Sequence, residues 1–318
     1  MFISEEKVRE SLAYETLIPA IRQALMDFSA GLVDQPARMI LRAGNAEGAH
    51  NGWFAVMPVI AGDVMAVKTV TFYPGNAELG LPTHMAMIEL LRRSTGEPLA
   101  IMDGRLITEM RTACVSAVAF AALAPLHFAA PPHAASPKVL GILGSGVQAH
   151  AHIQALRCVW PELAEIRIWS RTQANAQRLA GETGARAVSI EEAAAADVVL
   201  TVTSSPQPVL QGRWLKPNAL VLAVGATGAS LRELDDELMH SSFVVADSRA
   251  AVEREAGDVR LSGAVVSAEI GEVLARPEAS AIPRDQRIVF KSVGLAIEDL
   301  TGARLVWQAL QRNASTGK

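Results

Sequence analysis

Cysteine, aromatic residues and charge are all scarce in this chain, and each scarcity removes a class of protein. Only two cysteines, Cys114 and Cys158, occur in 318 residues, and they form no CxxC pair. That excludes a disulfide-stapled scaffold and a thiolate zinc site, and leaves two buried thiols in a reducing compartment as the expectation. The seven histidines contain no HxxxH or HExxH. His150 and His152, two positions apart, fall on different faces of a helix, so no metal site is expected. Charged residues make up 19% of the chain, sum to −4 and show no basic cluster, which disfavours nucleic acid or an anionic membrane as partner. A small molecule is expected instead. The N-terminal MFISEEKVRES is charged and has no apolar core, so no secretory signal is read there. One long uncharged stretch, Thr112 to Pro137, raises the membrane question. Its four prolines (Pro125, Pro131, Pro132, Pro137) and its many alanines argue against a spanning helix. The reading is a buried helix, Thr112 to Ala124, then a Pro-rich linker, Pro125 to Pro137, in a cytoplasmic protein.

What is abundant is apolar sequence, half of all residues, enough for a large core. Beyond the linker, short apolar runs alternate with helical patterns, as in a parallel sheet wound with helices. Lys138 to Gly144, Glu165 to Ser170, Asp197 to Thr203, Ala219 to Val224 and Phe243 to Asp247 read as strands, and Val147 to Val159 as the first crossover helix. Before the linker, a helical pattern from Glu5 to Gly31 precedes strand-like runs at Gly52–Met57, Val64–Phe72 and Pro98–Asp103. The tail adds a strand (Ile288 to Ser292) and a helix (Leu295 to Leu310). The expected architecture is α/β. A doubly wound Rossmann domain over 126–287 would be combined with a discontinuous α+β domain built from 1–125 and 288–318, the latter for substrate binding and dimerisation.

Gly144-Ser-Gly-Val-Gln-Ala149 matches GxGxxA, a weak motif alone but here placed after a strand, at the start of a helix and inside a βαβ unit of about 30 residues. Gly144 suits the tight turn, Gly146 lets a pyrophosphate approach the backbone, and Ala149 permits close helix–strand packing. The helix N-terminus, Val147 and Gln148, offers free N–H groups to phosphate. At the end of the second strand, where NAD-binding domains usually carry Asp or Glu, the chain has Ser170-Arg171-Thr172. A guanidinium and two hydroxyls suit a 2′-phosphate, which favours NADP(H); NAD(H) is the alternative if Arg171 only stacks on adenine.

Three basic residues stand in apolar surroundings: Arg38, Lys68 inside the run Val64–Val70, and Arg111. A buried charge needs a partner. Two partners fit, an internal carboxylate such as Asp103 or Glu109, or the carboxylate of an anionic substrate.

The motifs Gln35-Pro-x-Arg38, Val56-Met-Pro58, Val67-Lys-Thr-Val-Thr-Phe72, Met102-Asp-Gly104, Arg111-Thr-Ala113, Ile168-Trp-Ser-Arg-Thr172, Val224-Gly-Ala226, Arg232-Glu-Leu-Asp235 and Phe290-Lys-Ser-Val-Gly294, with the glycine loop among them, together resemble the ornithine cyclodeaminase/mu-crystallin family. The resemblance runs from about Gln35 to Ala303. It implies a homodimer, and it places Arg38, Lys68 and Arg111 on a substrate carboxylate beside the nicotinamide. It assigns Val147, Gln148, Ser170, Arg171 and Thr172 to the cofactor, with Thr203, Val224 and Ser292 lining the rest of that site. His84 matches a family histidine near the nicotinamide, or is a histidine hydrogen-bonded in a loop.

The departure lies after the strand Ala219–Val224. Family cyclodeaminases and alanine dehydrogenases carry there an Asp able to deprotonate the substrate amine; this chain has Thr227. A threonine hydroxyl is no base near neutral pH. Reduction of a cyclic ketimine, of the pyrroline-2-carboxylate or piperideine-2-carboxylate type, needs no such base. Lys68 is then the candidate proton donor, and Thr227 a hydrogen-bonding relay. The expectation is an NADPH-dependent ketimine reductase. A cyclodeaminase or amino-acid dehydrogenase is the second reading, and a ligand-binding protein without turnover the third.

Overall fold

The computed structural model describes residues 2–44, 52–128 and 136–315. The chain forms two units, Met1–Arg111 with Leu295–Lys318, and Thr112–Gly294.

The first unit is built on a six-stranded sheet. Its strands are β1 (Phe2–Ile3), β2 (Met39–Ala43), β3 (Gly52–Ala61), β4 (Val64–Phe72), β5 (His84–Arg92) and β6 (Pro98–Asp103), in the order β1-β6-β5-β4-β3-β2. All pairs are antiparallel except β1 with β6. The single helical pattern from Glu5 to Gly31 resolves into α1 (Glu5–Ser11) and α2 (Tyr14–Ser29), because Leu12 and Ala13 are extended. Leu17, Ile21 and Leu25 do share the buried face of α2. The C-terminal helix, Ala296–Ser315, packs against α2 and crosses β3, β4 and β5.

Period-two alternation sorts the sheet residues by face. Ala55, Met57, Val59, Ala66, Lys68, Val70, Ala86 and Ile88 are buried. Their neighbours on the opposite face are not: Phe2, Met39, Leu41, Met85, Met87 and Ile101 are 38–63% exposed. The register aligns them, with Met87 opposite Thr69, Thr69 opposite Val56 and Val56 opposite Met39.

In the second unit eight strands pair in parallel: β7 (Val139–Leu143), β8 (Glu165–Trp169), β9 (Arg186–Ala187), β10 (Val198–Thr201), β11 (Leu220–Ala223), β12 (Ser242–Ala246), β13 (Val266–Glu269) and β14 (Arg287–Lys291). Their order is β13-β12-β14-β11-β10-β7-β8-β9. The strand order reverses at β7, between β8 and β10, which is the doubly wound arrangement. Every residue of β10 and β11 is buried, as strands covered on both faces require.

Two expected boundaries move. The helix expected at Thr112–Ala124 is α3, Arg105–Phe128, whose opening N–H at Arg105 is capped by Asp103 Oδ1 at 2.8 Å. From Thr112 onward it belongs to the second unit, where Phe120 stacks on Trp160 (4.5 Å between ring centres) and Ser116 Oγ meets His152 Nε2 at 3.0 Å. The division therefore falls inside α3 and not at Pro125, which is itself helical; residues 129–135 of the expected linker lie outside the described residues. The strand at Ile288, assigned above to the tail, is β14, inserted between β11 and β12 with Ile288, Val289 and Phe290 fully buried. A third correction concerns the thiols: Cys114 is buried, but Cys158 is exposed on the outer side of the helix that follows β7.

Candidate functional site

The sequence candidates gather in two groups, one in each unit. The first is a buried charge cluster on the helix-covered face of the six-stranded sheet. Lys68 in β4 is 2% exposed and places Nζ 2.6 Å from Asp299 Oδ2 and 3.5 Å from Thr108 Oγ1. Arg111 donates from Nε to Asp299 Oδ1 at 3.0 Å and from Nη1 to Glu298 Oε2. Asp299 thus bridges the two cations, one oxygen to each. Internal carboxylates for Lys68 and Arg111 come from the first turn of the C-terminal helix, while Asp103 caps the opening N–H of α3. That helix is held in place by the Gln35-Pro-x-Arg38 motif itself, since Gln35 Oε1 accepts the N–H of Ile297 at 2.9 Å.

Charge and burial set the protonation here. Burial pulls the Lys68 pKa down to about 8, with Arg111 and Arg38 adding to the shift and Asp299 opposing it. Burial would push the Asp299 carboxyl up, but Arg111 and Lys68 outweigh it and hold the group below its usual range. His84 opens β5, paired with Phe72, and is not in a loop. Burial, then the charges of Lys68 and Arg111, lower its pKa to about 4, so it is neutral at pH 7. Arg38 is half-buried and contributes its charge to both Lys68 and Asp299. Two buried cations face two buried carboxylates here, and the Arg38 charge acts on the same cluster.

The second group follows from strand register. Trp169, Leu143, Thr201, Ala223 and Lys291 lie in one row across β8, β7, β10, β11 and β14. The residues just beyond that row form the carboxyl rim of the sheet, where doubly wound folds bind ligands. Gly144, Ser170, Thr203, Val224 and Ser292 all lie there. Gly144 has φ 125°, and a Cβ on it would sit 2.7 Å from the Val202 carbonyl oxygen, so no other residue fits the turn. Gly146 is the N-cap of the helix Val147–Val159, has no side-chain cap, and has open space where a Cβ would be. The Gln148 side-chain oxygen is buried and lacks a hydrogen-bond partner among the described residues. Uncapped helix amides, an open approach at Gly146 and an orphaned buried acceptor fit a bound dinucleotide. Ser145 Oγ donates to Ser170 Oγ at 2.9 Å, tying the glycine loop to the end of β8. Arg171 and Thr172 follow, exposed at the rim, and Arg171 has no partner among the described residues. Thr227 is exposed in the turn after β11.

Of the six buried acids among the described residues, none of them singled out in the sequence as a site residue, four bear on the two groups. Glu298 and Asp299 form the cation cluster. Glu233 and Asp258 lie beneath the rim of the second unit, Asp258 paired with Lys291 at 3.1 Å and all three residues fully buried.

Comparison with known proteins agrees with this architecture. The chain is 40% identical to a ketimine reductase mu-crystallin of Mus musculus, over 97% of this chain and 96% of the relative. It is 34% identical to a Δ1-pyrroline-2-carboxylate/Δ1-piperideine-2-carboxylate reductase of Azospirillum brasilense, over 94% and 92% of the two chains. The solved Δ1-pyrroline-2-carboxylate reductase of Thermococcus litoralis, in complex with NADH and L-proline, superposes with a TM-score of 0.88 at 30% identity, covering 99% of this chain and 98% of that one. The family model for ornithine cyclodeaminase/mu-crystallin matches residues 1–314, so the chain belongs to the ornithine cyclodeaminase/mu-crystallin family.

Proposed function

We propose that this chain is a cytoplasmic, NADPH-dependent reductase of cyclic ketimines, acting on pyrroline-2-carboxylate or piperideine-2-carboxylate to give the cyclic amino acid. The observation that carries this reading is the turn after β11. It presents Thr227 where a deaminating enzyme needs a carboxylate, and the acid that follows in the chain, Glu233, is fully buried and engaged by four donors. Neither group can take a proton from a substrate amine. The relatives named as reductases of such imines support the same direction.

In this reading Arg38, Lys68 and Arg111 fix the substrate carboxylate. Val147, Gln148 and Ser170 hold the dinucleotide, Thr203, Val224 and Ser292 line its nicotinamide end, and His84 is a neutral hydrogen-bonding neighbour. When bound, the reduced nicotinamide supplies a hydride to the C=N carbon. Lys68 gives its proton to the ring nitrogen and is recharged from water. Fixing the carboxylate aligns the reacting atoms without further cost at the barrier. The test is purified protein with NADPH and pyrroline-2-carboxylate, with loss of reduced-nicotinamide absorbance as the expected result. Proline formed from ornithine with release of ammonia, and no imine reduction, would overturn the proposal.

The preference for NADPH rests on Arg171, exposed and unengaged beside Thr172. A charge-assisted hydrogen bond contributes about 1.5–3 kcal/mol, so Arg171→Asp is expected to shift the NADPH-to-NADH preference by at least tenfold. An unchanged ratio refutes the role. The homodimer rests on the apolar sheet face of Phe2, Met39, Leu41, Met85, Met87 and Ile101, which a second copy of the same face would cover. Sedimentation of the double variant Met87→Glu/Ile101→Glu is expected to give a monomer from a dimeric wild type; a monomeric wild type at micromolar concentration would sink the idea.

A further inference from the structure

The Glu233 carboxylate lies under the carboxyl rim of the second sheet, and every group bonded to it is a donor there. Its Oε2 accepts from Thr201 Oγ1 (2.8 Å), Gly225 N (2.8 Å) and Ala226 N (3.2 Å), and its Oε1 from Thr203 N (2.6 Å). Three of these are main-chain amides, which cannot receive an acid proton, so both oxygens are fixed as acceptors. Gly225 is required for this approach: a Cβ there would stand 2.5 Å from Oε1. The segment carrying Glu233 is itself held by a second acid, Asp258, whose Oδ1 accepts the N–H of Glu233 (2.8 Å) and of Leu234 (3.0 Å). Asp258 in turn pairs with Lys291 on β14. Two buried acids and one buried cation leave a net charge of −1 directly below Thr203 and Gly225. Burial pushes the Glu233 carboxyl upward from its usual range, while Lys291 and the Thr203 amide oppose that.

We infer that Glu233 is an electrostatic positioning residue: its buried carboxylate, seated against the main chain of Thr203, Gly225 and Ala226, favours positive charge at the nicotinamide end of the site. The inference rests on the nicotinamide reading above. A nicotinamide ring is neutral when reduced and cationic once its hydride has left. A fixed anion at that end of the site would therefore favour hydride donation to the imine over the reverse. An apolar floor would hold the ring equally well and would not make this distinction. Unit charges about 10 Å apart at an effective dielectric near 20 attract by an amount equivalent to roughly a fifteenfold ratio in affinity.

The test uses binding and not turnover: dissociation constants of NADP+ and NADPH, by calorimetry or by quenching of protein fluorescence, for the full chain. Glu233→Gln places an amide NH2 among donors, so some loss of affinity for both forms is expected from the broken contacts alone. The electrostatic role adds a selective loss of NADP+, raising the ratio of its dissociation constant to that of NADPH at least fivefold over wild type. Glu233→Asp keeps the charge and should weaken both forms while leaving the ratio within twofold. Lys291→Met deepens the negative charge and should move the ratio the other way, which keeps the test open if Glu233→Gln does not fold. Equal weakening of both forms in Glu233→Gln, or an unchanged ratio in Lys291→Met, would overturn the inference and leave the cofactor reading standing. Wild-type protein that binds neither form would overturn both.

Discussion

Replacing Arg111 with alanine is expected to lower the unfolding free energy by about 3–5 kcal/mol, the usual cost of stranding a buried charge. Its guanidinium, 6% exposed, donates to Glu298 and is the second partner of Asp299, and both acids are at most 2% exposed. Without it, Glu298 and Asp299 both lose the guanidinium that engages them. The loss is electrostatic more than volumetric, which gives a sharper test than the single variant. In Arg111→Ala/Glu298→Gln one of the stranded charges is gone, so the double variant should be more stable than Arg111→Ala. Urea denaturation monitored by tryptophan fluorescence measures both. A cost below about 1 kcal/mol for Arg111→Ala, or strict additivity in the cycle, would show that the cluster is not the buried unit its geometry implies. The glycine loop lies in the other unit, so affinity for the dinucleotide should stay within a few-fold of wild type.

The cations of this cluster were legible in the sequence, and their partners were not. Lys68 announces itself because an ammonium in the run Val64–Val70 has to be neutralised. Which acid does so depends on how the C-terminal helix returns to the sheet, and Arg111 and Asp299 are 188 positions apart. Asp103 is near in the sequence, yet its carboxylate caps α3. The glycine loop was readable for the opposite reason: strand, turn and helix are contiguous, so their geometry is written locally. Strand β5 escaped notice because its outward residues, Met85 and Met87, are as apolar as its inward Ala86 and Ile88, which erases the alternation. The reason for that pattern is the uncovered sheet face, on which Met39 and Leu41 of the equally overlooked β2 also lie. β14 was assigned to the wrong unit because a continuous apolar run says that a strand is central without saying to which sheet. Glu233 was visible only as part of a motif; its role depends on Thr201, Thr203 and Gly225 converging from two other strands.

Lys68→Met should abolish the chemistry as well as weaken the fold. Asp299 keeps its bond to Arg111 but loses the ammonium 2.6 Å from its other oxygen, so a cost of the same order, about 3–5 kcal/mol, is expected in urea denaturation. Imine reduction, however, loses both a cation on the substrate carboxylate and the proton for the ring nitrogen. General-acid catalysis alone accounts for factors of about 10²–10⁴, so a fall in kcat/KM on the order of 10³ is expected. The wild-type pH profile carries the same signature. Lys68 is protonated below its pKa of about 8 and loses its proton above it, so activity should hold to neutral pH and decline as pH rises through 8. Lys68→Arg separates the two roles. It keeps the charge at all accessible pH but cannot release a proton, so KM should stay near wild type while kcat falls and the alkaline decline disappears. Retention of more than a tenth of wild-type kcat/KM in Lys68→Met would remove this residue from the mechanism. A wild-type profile flat from pH 7 to 10 would leave it as a charge clamp and transfer the proton to another donor.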